Sequence, residues 1–167
     1  SSDLDDLQAL STAQVAALTT DQVATLSSSQ VALMQSRDVA AFTTEQLVVL
    51  GNDAVAAFTT SQASGLTTAQ LNAFTSDQLA ALETRDLAAM TTAQLSRLNT
   101  LQLSRLDTNQ INGLSTRQMA ALTTTQIAAL TSDQLNNLGS DNLRALSTTQ
   151  IQALTTWQLS HLVTSQV

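Results

Sequence analysis

Thr123 to Leu130, TTTQIAAL, is the stretch that decides the fold, because the rest of the chain repeats this octad with small variations. Framed from Asp3, twenty consecutive octads run to Leu162 without insertion or deletion; Ser1 and Ser2 precede them and a partial octad, 163–167, follows. With Thr123 as position 1, position 8 is Leu in fifteen octads, Phe in three (Phe42, Phe58, Phe74) and Met in two (Met34, Met90). Position 5 is Leu, Val, Ile or Met except at Ala63, position 7 is mostly Ala, and position 2 is Ser or Thr except at Leu4 and Asn52. One octad cannot bury its own apolar face. A strict repeat of this kind therefore implies a solenoid in which neighbouring units stack into a continuous core, and residues 1–167 read as a single repeat domain.

A single long helix is excluded by rotation. At about 100° per residue, eight residues overshoot two turns by about 80°, so the apolar pair at positions 5 and 8 would spiral around the helix. A heptad drifts by only about 20°, which supercoiling absorbs; a drift four times larger is not absorbed. The helix must therefore break once per octad.

The break is encoded at positions 1 to 4. Thirteen octads carry Ser or Thr at position 1, and all thirteen have Gln at position 4, as in Ser11 with Gln14, Thr67 with Gln70 and Thr155 with Gln158. This is the S/T-x-x-Q capping box: the hydroxyl accepts from the N3 backbone amide, and the Gln side chain reaches back to the N-cap amide. The other two octads with Gln at position 4 begin with Asn99 and Asp107, also good N-caps. Where Gln is missing, position 1 departs too: Asp3 with Asp6, Gln35 with Asp38, Gly51 with Ala54, Glu83 with Asp86, Gly139 with Asn142. The expected fold is thus all-α, a superhelical coil of about twenty short capped helices, one per octad. Helices this short are unstable alone, so packing between octads must hold them. The recurrent hydroxyl at position 2 is expected to donate to the free carbonyls that end the preceding helix.

A second period runs through residues 35–99. Gln35, Gly51, Glu83 and Asn99 depart from Ser/Thr at position 1 in alternate octads, while Phe42, Phe58, Phe74 and Met90 recur at position 8 every sixteen residues. Two explanations stand: a coil with two helices and about sixteen residues per turn, or duplication of a two-octad unit without geometric meaning.

Composition bounds the function. The chain has no Cys, hence no disulfide framework, thiolate metal site or nucleophilic thiol. A net charge of −7 argues against nucleic-acid binding, which needs a basic face. No stretch reads as a signal peptide, and the apolar runs are too short for membrane insertion; any export signal is expected outside these residues. The four glycines stand apart, at 51, 65, 113 and 139, so neither a phosphate-binding loop nor a dinucleotide fingerprint occurs.

Few residues invite a chemical reading. Arg37 and Arg85 each precede an acid at position 4, and Arg97 and Arg105 repeat at position 7; solvated charges pairing locally explain them better than an anion site does. Asp3, Asp5 and Asp6 lack the loop glycine and distal Glu of a calcium loop, and read as a solvated N-terminus. His161 is the single histidine. It stands near Ser160, Ser165 and Trp157, but no acid or oxyanion hole is marked, so an exposed His is expected. No catalytic, cofactor-binding or metal-binding residue is assigned, and an enzyme is not expected.

The run LTTAQLNAF (Leu66 to Phe74), with ALTTTQIAAL and ALTSDQL elsewhere, resembles the short Thr/Gln/Leu repeats of long bacterial surface and secreted proteins, including adhesin-like ones. The resemblance implies export, spacing and adhesion, at the cell surface or outside the cell. The leading function is a structural scaffold, spacer or stalk. The alternative is a solenoid whose groove binds a protein or glycan, for which Arg97, Arg105, Asn136 and Asn137 are the hints. Ice binding through Thr ladders is an outsider, and self-association fits any of these.

Overall fold

The computed structural model describes residues 6–162. Nineteen short helices succeed one another from Thr12–Ala16 to Thr156–Ser160 at eight-residue intervals, with no strand among the described residues. In the reference octad the helix is Thr124–Ala129; Thr123 before it (φ −72°, ψ 160°) and Leu130 after it (φ −63°, ψ 137°) are both outside helical geometry. Two consecutive extended residues, position 8 and the next position 1, therefore break each helix of this kind. Neither proline nor a left-handed residue is required: the chain has no Pro, and no described residue has positive φ.

All fifteen octads with Gln at position 4 show both capping hydrogen bonds. In the reference octad the Gln126 amide donates to Thr123 Oγ1 (3.1 Å), and the Thr123 amide donates to Gln126 Oε1 (2.9 Å). Helices beginning with Gln35, Gly51, Glu83 and Gly139 have no side-chain cap.

The coil closes on a longer period than sixteen residues. Helices pack against those three octads away, such as Thr60–Gly65 against Thr84–Ala89 and Ser76–Ala81 against Thr100–Arg105. Hydrogen bonds from position 4 Gln side chains at the same time tie octads to those four octads earlier, across separations of 28 and 31 residues. One turn is thus about 28 residues, or three and a half octads. The two-helix coil of about sixteen residues per turn is corrected. Sixteen residues carry the chain a little more than halfway round, so side chains at that spacing face each other across the core. Phe58 and Phe74 do so, with ring centroids 6.2 Å apart, and the sixteen-residue period records core filling.

Every position 5 side chain from Val15 to Leu135 is at most 1% exposed, and position 8 from Met34 to Leu138 is at most 5% exposed. Together they form one continuous hydrophobic core. No described helix is long and apolar enough to cross a membrane.

Candidate functional site

The most elaborate chemistry of the molecule lies along the seam between turns, and Gln at position 4 builds it. A capping box tolerates Glu as well as Gln, yet fifteen octads carry Gln at position 4 and none carries Glu. The reason is a second task that needs an N–H donor. Gln126 Nε2 donates to the carbonyls of Leu95 and Leu98, both at 2.8 Å; Gln78 Nε2 donates to those of Leu47, Val48 and Leu50 at 2.9, 3.2 and 2.8 Å. The acceptors are positions 5, 6 and 8 of the octad four back, at a helix C-terminus, where the position 5 carbonyl already accepts the position 8 amide of its own octad, as Leu95 does from Leu98 (3.1 Å). From Gln46 to Gln158 every position 4 Gln is at most 5% exposed and makes such bonds. Each of these side chains caps its own helix through Oε1 and the previous turn's helix through Nε2.

This displaces the role expected for position 2. Among the described residues no position 2 hydroxyl makes a hydrogen bond, because the carbonyls it was expected to serve are taken by Gln amides. Position 2 instead lies against position 7 of the next turn. A Cβ on Gly65 would sit 3.7 Å from Ser36 Cβ, and one on Gly113 would collide with the Thr84 methyl. At these two positions the glycine at position 7 is the counterpart of Ser or Thr at position 2.

The exceptions are informative. At Gly139, whose octad has the shorter Asn142 at position 4, the backbone amide donates to Asn112 Oδ1 (2.7 Å) from the turn before, while Asn142 Nδ2 reaches the Leu114 carbonyl at 3.1 Å. Asn112 Nδ2 also donates to the Asn137 carbonyl. Gln8 and Asn136, like Asn112 at position 6, donate to position 7 carbonyls 25 residues on: Leu33 at 3.0 Å and His161 at 2.8 Å. Asn137 Nδ2 donates to Asp133 within its own helix (2.8 Å). The two asparagines singled out as binding hints thus have structural partners.

Asp38 and Asp86 occupy the position of the bridging Gln, and the expectation of solvated charges is corrected for them. Both side chains are fully buried, and none of their four carboxylate oxygens has a hydrogen-bond partner. Being acceptors, they cannot serve the carbonyls that an amide would serve. The nearest cations are exposed: Arg37 Nε lies 3.6 Å from Asp38 Oδ1, and Arg85 Nε lies 3.7 Å from Asp86 Oδ1 while pairing more closely with Glu83 at 2.7 Å. Burial raises the pKa of Asp86; Arg85, and more weakly the Glu83 backbone, act against the rise, and the Glu83 carboxylate adds to it.

The remaining residues do not converge. Arg97 and Arg105 are exposed, and one octad of a 28-residue turn sets them about 100° apart around the coil. His161 is exposed, with its ring centroid 4.4 Å from that of Trp157. Its Nδ1 lies 3.0 Å from Ser160 Oγ and 2.7 Å from the Trp157 carbonyl, which also accepts from Ser160 Oγ. This is a local helix-end arrangement without an acid. Asp6 is exposed; Asp3, Asp5, Ser165 and the partial octad 163–167 lie outside the described residues. Surface hollows recur at the same place in successive octads, one between Met90 and Gln118, another between Leu82 and Gln110. They are products of the repeat geometry.

The ALTTAQ repeat matches residues 3–36, 31–68, 79–116, 105–140 and 136–167. The chain belongs to the ALTTAQ repeat family. No curated protein and no solved structure matches it.

Proposed function

We propose that this ALTTAQ-repeat chain is a structural spacer or stalk of a bacterial extracellular protein, holding other parts of that protein at a fixed distance. The observation that supports this reading is the use of the recurrent positions. Positions 4, 5 and 8, with the contact of 2 and 7 at Gly65 and Gly113, join one turn to the next, while the exposed position 3 changes from octad to octad. The 157 residues from 6 to 162 make about five and a half turns of 28 residues. At the spacing of packed helices, about 8–10 Å, they form a rod roughly 50 Å long. Export and a cell-surface setting rest on the resemblance to surface-protein repeats.

Ice binding loses its basis in the same geometry. Position 1 hydroxyls accept capping bonds, and with three and a half octads per turn equivalent threonines are staggered by half an octad between successive turns. A flat ladder needs them in register. For glycan binding, the one exposed aromatic is Trp157, with His161 against its ring. Small-angle scattering on chains lengthened by whole octads tests the spacer directly: each octad is expected to add about 2.5 Å to the rod, from the same helix spacing. A maximum dimension that fails to grow with octad number rejects a spacer, and saturable binding of one sugar class on a glycan array transfers the chain to the binding reading.

A further inference from the structure

Octad 83–90 interrupts the seam in the middle of the coil. The bridging side chains on either side of it take three carbonyls of the octad four back: Leu47, Val48 and Leu50 for Gln78, and Ala63, Ser64 and Leu66 for Gln94. The equivalent carbonyls for Asp86 are those of Val55, Ala56 and Phe58. Val55 accepts from the Phe58 amide (3.1 Å), but no described residue donates to the carbonyls of Ala56 or Phe58. Phe58 is 0% exposed, so its carbonyl is as closed to water as the Asp86 carboxylate. Acceptors from two turns thus meet at one buried point without a donor between them.

Asn142 sets the scale of this meeting. It has the length of Asp, stands at the same position 4, and places Nδ2 3.3 and 3.1 Å from the Asn112 and Leu114 carbonyls, the counterparts of Ala56 and Phe58. Asn142 fills the approach with hydrogens. Asp86 brings oxygen against oxygen, which calls for positive charge between them. Arg85 does not supply it there: its Nε stays 3.7 Å from the carboxylate and pairs with Glu83 at 2.7 Å. A protonated Asp86 has one O–H, enough for one carbonyl.

We propose that this gap is a cation site, in which the Asp86 carboxylate and the carbonyls of Ala56 and Phe58 bind a calcium ion between two turns of the coil. The ligands are all oxygens, and an ion about 2.3–2.6 Å from each spans oxygens this close at an ordinary ligand angle. Magnesium suits the place less, because it keeps several waters and the carboxylate is closed to water. Glu83 stands on the open side, its side chain 51% exposed, and its charge already acts on Asp86; it adds a second carboxylate when calcium displaces Arg85. With so few ligands the affinity falls in the weak range, about 10⁻⁴–10⁻³ M. Asp38 repeats the arrangement: Arg37 precedes it, its carboxylate is buried and unpaired, and its facing carbonyls are those of Gln8 and Leu10. The site follows from the seam and stands whether or not the chain is a spacer.

Calcium-linked stability tests this, in a chain carrying Asp38→Gln so that one site remains. Urea unfolding is followed by circular dichroism from about 0.1 to about 30 mM calcium, a range that brackets the expected affinity, with magnesium at equal concentration as the control. Above the dissociation constant each tenfold rise in calcium is expected to raise the folded-to-unfolded ratio about tenfold beyond the change magnesium produces. Adding Asp86→Gln, whose amide takes the carbonyls itself, is expected to abolish the calcium response. Both substitutions restore the residue usual at position 4, so both chains are expected to fold. The response should also shrink as falling pH lets a proton compete for Asp86. A midpoint that calcium moves no more than magnesium does overturns the proposal and leaves a proton between the oxygens. A calcium response that survives Asp86→Gln also overturns it and places the ion on the acidic surface.

Discussion

Asp86 shows what one atom type decides in this fold. A Gln at its place would cap its own helix and donate to the Val55 and Phe58 carbonyls, by the spacing seen at every bridging Gln; the carboxylate does neither, and lies buried without a partner. Asp86→Gln is therefore expected to stabilise the chain at neutral pH by about 1–3 kcal/mol, the usual cost of a buried polar group left unpaired, measured by urea unfolding. The effect depends on pH. Burial raises the Asp86 pKa above its ordinary value, so the folded state binds the proton more tightly than the unfolded chain. Stability at this site is full below the ordinary carboxyl range and is lost as the pH rises through the raised value. The gap between Asp86→Gln and the parent should widen with rising pH across that window; a gap independent of pH would mean that Asp86 ionises without penalty in the fold.

At the scale of the helix, the repeated cap couples neighbours. Gln126→Ala removes a cap, worth about 1 kcal/mol, and strips the side-chain donor from the buried Leu98 carbonyl, worth about 1–3 kcal/mol, while the Leu95 carbonyl keeps its bond from the Leu98 amide. Gln14→Ala removes a cap alone, since its Nε2 has no acceptor among the described residues. The first should cost about 2–4 kcal/mol and the second about 1, read from denaturant midpoints; equal losses would show that the bridge contributes nothing. This is also where the sequence was most and least legible. Local chemistry could be read directly: Thr123 and Gln126 lie three residues apart, and hydroxyl and amide chemistry fixes what they do to each other. The bond from Gln126 to Leu95 spans 31 residues and leaves one trace in the sequence, the exclusion of Glu from position 4. Position 2 misled because its hydroxyl suggested a donor, whereas at Thr84 the methyl is what meets Gly113. The burial of Asp38 and Asp86 was hidden by their neighbours Arg37 and Arg85, which made a local ion pair the simplest reading.

For the molecule as a whole, the turn of three and a half octads sets which changes the coil can absorb. Each bridge runs from position 4 to positions 5 and 8 of the octad four back, a relation that holds for any octad and any starting point. Deleting octad 123–130 moves every later Gln onto the carbonyls of a different octad at the same positions. The bridges survive, and the core keeps its alternation of positions 5 and 8. Stability is a sum over neighbouring repeats in such a coil, so this deletion should lower the melting temperature by only a few degrees. Deleting residues 127–130 alone removes the same kind of side chains but shifts the frame by half an octad. Gln134, Gln150 and Gln158 would then face position 1 and position 4 in the turn beneath, where backbone carbonyls already serve helix starts, and the apolar positions downstream would meet polar ones. The shorter deletion should therefore be the more damaging, with loss of the cooperative transition for the segment after residue 126. Thermal unfolding followed by circular dichroism separates the two; similar melting of both deletions would mean that the octads are joined by composition and not by register.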